Sequence, residues 1–195
     1  MADAGHVCYH ARMNIALQRA MTVADYLAWS EAGGERARTE LINGRIVAMT
    51  PERVEHVEVK LAAALALRIA IARAAVGCHA LGDGITVRID DHTAYEPDAS
   101  VYCGERLPRG SLLLPSPIIV VEVLSPATAH TDTSAKLLGY FKLPSVQHYL
   151  VVDPDTRVVT HHRRAPEGLA VQNVTDGTLR LDPPGIDLDV GDLFA

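Results

Sequence analysis

A chain of 195 residues that is 48% hydrophobic and 22% charged has enough apolar material for one domain with a real core, and lacks the bias of a disordered or repetitive protein. Its net charge of −6 excludes a protein that grips nucleic acid by bulk charge, while leaving room for a local basic patch or a metal-bridged contact. Cys8, Cys78 and Cys103 are odd in number, far apart and without a Cys-x-x-Cys pair, so neither a disulfide framework nor a zinc site is expected and a reducing cytosol fits. The first residues carry Asp3, His6, His10 and Arg12 and offer no apolar run for a signal peptide. Leu61 to Val76 is interrupted by Arg68 and Arg73 and is too short to span a bilayer, so a cytoplasmic location without membrane contact is expected.

Residues 1–20 show no strong pattern and read as an N-terminal extension, with 21–195 as a single domain. Thr22 suits a helix N-cap, Val23, Tyr26, Leu27 and Trp29 share a helical side, and Gly33-Gly34 ends the element. Glu40 to Met49 predicts two short strands around an Asn43-Gly44 turn. Pro51 opens a second predicted helix, whose Val54, Val57, Leu61, Leu65, Ile69 and Ala72 fall near helical spacing as a packing face, with Gly77 as its stop. His56 lies in its first turns, where an ordinary helix histidine is the simplest reading.

Ile85 to Asp90 alternates as a half-buried strand, and Glu96 to Tyr102 predicts another with Asp98 at its start. After a Pro- and Gly-rich connector, Ile118 to Val121 is a continuous apolar run, the pattern of a strand covered on both faces. Glu122 interrupts it. An ionised carboxylate buried there costs several kcal/mol unless a cation, a proton or an exposed strand end compensates it. Ser125-Pro126 stops the strand, and Asp132 or Thr131 caps a helix running to about Leu143 that carries Lys136 near its start. Val146 to Val152 is a further buried strand, Val158 to His162 and Leu169 to Val174 form a closing antiparallel pair, and the tail from Asp182 is turn-rich with Leu193-Phe194 as an anchor.

If the strands of Asp98 and Glu122 are neighbours, two carboxylates converge at one sheet end and hold a hard divalent cation, with the Val123 carbonyl as a further ligand. Such a site lowers the pKa of a bound water and offsets charge on a phosphodiester in its transition state. A lysine two residues after the glutamate would serve that water, but Leu124 stands there. Lys136 is the nearest substitute.

Pro97-Asp98 with Glu122-Val123-Leu124 resembles an altered PD-(D/E)xK nuclease signature. More closely, the chain resembles the Uma-two family of restriction-endonuclease-like proteins. The resemblance rests on Met21 to Trp29, TELINGRIVAM at Thr39 to Met49, His56, YEPDASV at Tyr95 to Val101, VVEVLSPAT at Val120 to Thr128, Asp132, Lys136, Tyr140 and VQHYLVVDP at Val146 to Pro154. It departs at Asn43, His148 and Leu150. It implies an α/β, restriction-endonuclease-like core with a central mixed β-sheet flanked by helices. It further implies metal binding by Asp98 and Glu122, water or phosphate positioning by Lys136, an accessory acidic role for Glu40, and supporting roles for His56 and Asp132.

The expected activity is Mg²⁺- or Mn²⁺-dependent hydrolysis of DNA by a homodimer, with water as nucleophile. The rivals are a non-catalytic nuclease-fold binding module and a small-molecule protein with a carboxylate metal site. Arg36, Arg38, Arg45 and Arg53, or His161 to Arg164, could supply a phosphate-contacting rim, but a solvated surface is the commoner explanation of such clusters.

Overall fold

A computed structural model describes residues 20–34, 38–125 and 132–194. The chain order is α1 Val23–Glu31, β1 Thr39–Ile42, β2 Arg45–Ala48, α2 Val54–Ala74, β3 Cys78–Gly82, β4 Val87–Arg88, β5 Ala94–Tyr95, β6 Ala99–Cys103, β7 Ile119–Val123, α3 Asp132–Lys142, β8 His148–Asp153, β9 Val158–Ala165, β10 Gly168–Val174, β11 Thr178–Leu181, β12 Ile186–Asp189 and a 3-10 turn Gly191–Phe194. The expected N-terminal extension lies outside the described residues except for Ala20, as do Arg36 and the side chain of Asp132.

Local signals in the sequence set several boundaries. Thr22 and Asp25 close a reciprocal capping box at the start of α1. Asn43 and Gly44 both adopt positive φ, 51° and 75°, as a two-residue hairpin turn requires, and a side chain at Gly44 would strike Ala20 at 2.7 Å. Helix α2 starts three residues later than Pro51, because Arg53 is extended at φ −81°, ψ 159°. It stops at Ala75, which turns left-handed ahead of Gly77.

The main sheet has six strands in the order β10-β9-β8-β7-β6-β3, mixed because β7 and β8 run parallel while their neighbours pair antiparallel. Strand β7 lies inside it with all five residues buried, as its unbroken apolar run predicts. Helix α2, the β11–β12 hairpin and the 3-10 turn cover one face, where Ile119, Val121 and Val123 meet Ala63, Leu67 and Leu188. Helix α3 covers the other, where Val120 meets Tyr140 and Tyr149. A second sheet, β2-β1-β5-β4, carries α1 through Val23, Tyr26 and Leu41. Among the described residues no helix is long and apolar enough to cross a membrane.

Two expectations are corrected. The stripe Val54, Val57, Leu61, Leu65 and Ile69 is exposed, and α2 packs instead through its small-residue face, including Ala63, Ala66 and Ala70. Cys78 and Cys103 form a disulfide, because β3 and β6 place them opposite each other in register although they lie 25 residues apart. The argument for a reducing compartment from unpaired cysteines loses its support. The tail is turn-rich as expected, at 182–185 and in the 3-10 turn, and between these β12 pairs with β11; its Leu193 is buried as an anchor.

Candidate active site

The alternation of β7 decides where Glu122 points. Val121 and Val123 enter the core beneath α2, so Glu122 and Val120 face α3. Lys136 and Tyr140, four residues apart on one side of α3, both reach it. Lys136 Nζ lies 3.1 and 3.0 Å from the two Glu122 carboxylate oxygens, and the Tyr140 hydroxyl donates to Glu122 Oε1 at 2.7 Å. The same ammonium is 3.0 Å from Glu40 Oε1 on β1, and that carboxylate also accepts the Glu96 backbone N–H at 2.8 Å. Gly139 permits this approach of α3, since a methyl group there would meet the Tyr95 ring at 2.6 Å. Tyr95 in turn lies beneath the Lys136 ammonium at 5.7 Å.

Asp98 arrives from the other side. Its backbone N–H donates to the Val121 carbonyl at 3.0 Å as β6 joins β7, and its Oδ2 accepts the Val123 N–H at 2.7 Å. Its Oδ1 is 2.9 Å from Lys60, a buried lysine of α2 whose ammonium also contacts Glu52 and Asp83, each at 2.8 Å. His56, one turn before Lys60, places Nδ1 3.3 Å from the Leu124 carbonyl. A carbonyl only accepts, so Nδ1 carries the proton and the Nε2 lone pair is left to face Glu52 Oε1 at 3.8 Å and Asp98 Oδ2 at 3.9 Å. Ligand atoms of Glu52, His56 and Asp98 all fall within 4.8 Å of one another.

Glu40, Glu52, His56, Asp98, Glu122 and Lys136 line one cleft of about 380 Å³ whose other wall is apolar, with Ile42, Val47, Met49 and Leu124. Glu40, Glu52, Asp83, Glu96, Asp98 and Glu122 share the three cations Arg38, Lys60 and Lys136, a formal excess of three negative charges among these groups, or two when Glu122 holds a proton. Burial pushes Glu122 up to about 8; Lys136 opposes that rise, while Asp98 and Glu40 reinforce it. Burial works against the charge on Lys136, but Glu122 and Glu40 outweigh it and hold the ammonium well above its usual range. Burial likewise raises the Tyr140 hydroxyl, so it remains a donor to Glu122. An excess of negative charge, hard oxygen donors and one oriented imidazole fit a divalent cation.

The structure therefore brings Asp98, Glu122, Val123, Lys136, Glu40 and His56 around one cleft. Glu122 is engaged by Lys136 and Tyr140, and the Val123 N–H serves Asp98; the ligand atoms that converge belong to Glu52, His56 and Asp98. Glu52 and Lys60 escaped the sequence reading. Their signal is the spacing Glu52, His56, Lys60, which continues onto the Ala63 face of the helix, where a lysine is out of place without anionic partners. The basic rim is also reduced. Arg38 is bound by Glu96, Asp83 and Glu52; His161 is buried, and Arg164 donates to the Phe141, Leu143 and Val146 carbonyls.

A fold of this kind, with a carboxylate and lysine cluster at the centre of a mixed sheet, defines a restriction-endonuclease-like protein, and comparison with known proteins agrees. The model of the Uma2 family, described as "Putative restriction endonuclease", matches residues 23–191, and the chain belongs to that family. An uncharacterized protein of Synechocystis is 29% identical over 146 residues, 74% of each chain. The crystal structure of "a putative nuclease" from Anabaena variabilis superposes with a TM-score of 0.69 at 21% identity, covering 89% of this chain and 97% of that one, and shares the fold.

Proposed function

We propose that residues 21–195 form a single-domain, Mg²⁺- or Mn²⁺-dependent endonuclease that hydrolyses phosphodiester bonds of DNA as a homodimer. The observation that carries this reading is the convergence of Glu52, His56 and Asp98 within 4.8 Å beside the Glu40–Lys136–Glu122 cluster, in a chain of this family. Asp98 and Glu52 would hold the cation through oxygen, and His56 through Nε2. When bound, the cation supplies the positive charge that offsets a phosphodiester in its transition state. Lys136 keeps Glu122 and Glu40 in place and presents an ammonium at the cleft, where it would orient the scissile phosphate or the attacking water. Glu122, held by the Lys136 and Tyr140 donors, is placed to exchange a proton with that water. Asp132 keeps a proposed supporting role. The apolar wall of Ile42, Val47 and Met49 suits the sugar or base next to the phosphate.

The test is cleavage of plasmid and single-stranded DNA with Mg²⁺, with Mn²⁺ and with chelator, comparing the parent with Asp98→Ala, Glu122→Gln and Lys136→Ala. Cation-dependent cleavage that falls about 100-fold or more in each variant is expected. Undiminished cleavage in Asp98→Ala and Lys136→Ala would remove the proposed site.

A further inference from the structure

Helix α2 carries apolar side chains on two opposite faces. One packs on the six-stranded sheet and the β11–β12 hairpin. The other bears Val54, Val57, Leu61, Leu65 and Ile69, which are 68, 50, 62, 48 and 44% exposed. The last four repeat every fourth residue and so make one ridge, about 18 Å long at 1.5 Å per residue. The ridge and Val54 together expose about 500 Å² of apolar surface, toward the upper end of the largest patch on an ordinary monomer.

The ridge fits a second copy of itself. Turned end for end about position 63 with its axis antiparallel, it brings Leu61 over Leu65 and Val54 over the exposed Ala72, with Val57 and Ile69 flanking the contact on opposite sides. Its flank is charged in the same sense. Glu55 in the first turn and Arg73 in the last are both exposed and stand eighteen residues apart, five full turns, on one side of the ridge. Charges placed this way complement the helix dipole within one chain. In a two-fold antiparallel pair they also put Glu55 of each copy beside Arg73 of the other, on the same flank. A membrane surface is a poorer match, because the flanks carry both signs and the chain has a net charge of −6.

We infer that this face of α2 is the interface of a homodimer, formed by antiparallel pairing of α2 with α2 of a second copy. The two ridges bury about 1,000 Å² of apolar surface, and the charged flanks bring the contact into the lower range of specific interfaces. The inference rests on the homodimer in the proposed function and names its surface. It sets the two His56 residues about 21 Å apart along the helix axes, so the two clefts lie near opposite ends of the helix pair.

The measurement is the mass of the full chain by light scattering and sedimentation over a concentration series. The parent is expected to dimerise, and Leu61→Glu combined with Leu65→Glu to raise the dissociation constant about 100-fold or more, with the thermal melt of the monomer retained. Glu55→Arg and Arg73→Glu are each expected to weaken the dimer several-fold, and the two together to restore it. A parent that stays monomeric would remove both the homodimer and this interface. A dimer undiminished by the double glutamate variant would keep the homodimer and overturn α2 as its surface, as would charge variants whose losses simply add.

Discussion

Lys60 illustrates how much one residue governs in this cleft. Its three N–H donors are spent on Glu52, Asp83 and Asp98, so it acts as an internal counter-ion for two of the three candidate metal ligands. Replacing it by methionine keeps the stem and leaves those carboxylates short of a cation, at a cost of about 3 kcal/mol in urea unfolding with chelator present. Mn²⁺ should recover more stability in Lys60→Met than in the parent, because the incoming ion meets no competing ammonium. An equal Mn²⁺ gain in both would show that Lys60 and the ion do not share ligands. His56 gives the complementary case: its bond to the Leu124 carbonyl fixes which nitrogen is free, a property of the fold that no residue spacing reveals.

At the scale of elements, α3 places the lysine and Gly139 places α3. The helix can lie against Tyr95 only without a side chain at that position, and Lys136 sits one turn earlier on the same element. Gly139→Ala should therefore lower stability by about 1–3 kcal/mol and reduce cleavage together, as α3 shifts away and Lys136 leaves Glu122 and Glu40. Thermal unfolding and a cleavage assay on the same preparation check it; a stable variant with full activity would show that α3 tolerates the shift. Helix α2 carries the opposite lesson. Its large apolar residues recur at helical spacing, yet the sheet selects the alanine face, because closely packed backbone and small side chains leave room for β7 and the β11–β12 hairpin.

The whole molecule contains a second polar centre remote in sequence from the first. His148 and His161 are both buried, with His148 Nδ1 2.9 Å from His161 Nε2, His148 Nε2 2.9 Å from the Pro183 carbonyl, and Gln172 Nε2 3.3 Å from His161 Nδ1. The carbonyl and the amide donor fix both tautomers, so the network is complete when both rings are neutral and an added proton has no acceptor. Burial, with His148 and Arg163 nearby, accordingly pulls His161 down to about 4, and burial lowers His148 as well. The unfolded chain then binds protons that the folded chain refuses. Stability from this pair is full above the ordinary histidine range and is lost as pH falls from about 6.5 toward 4, by up to about 3 kcal/mol for His161. Urea midpoints across that range should fall steeply in the parent and less in His161→Gln; equal slopes would exclude the pair as the cause.

The chain sequence alone determined the buried strand with Glu122, the Asn43-Gly44 turn and the closing strands, because strand burial, turn chemistry and stray charges in apolar runs are local signals, while Glu40 and His56 were singled out by the family resemblance. Only the tertiary structure decided which face of α2 is covered, that Cys78 and Cys103 meet, and that Glu52 and Lys60 join Asp98. Those outcomes depend on register and on the packing of elements distant in sequence, where a carboxylate's partner is chosen by the sheet it lands on rather than by its neighbours along the chain.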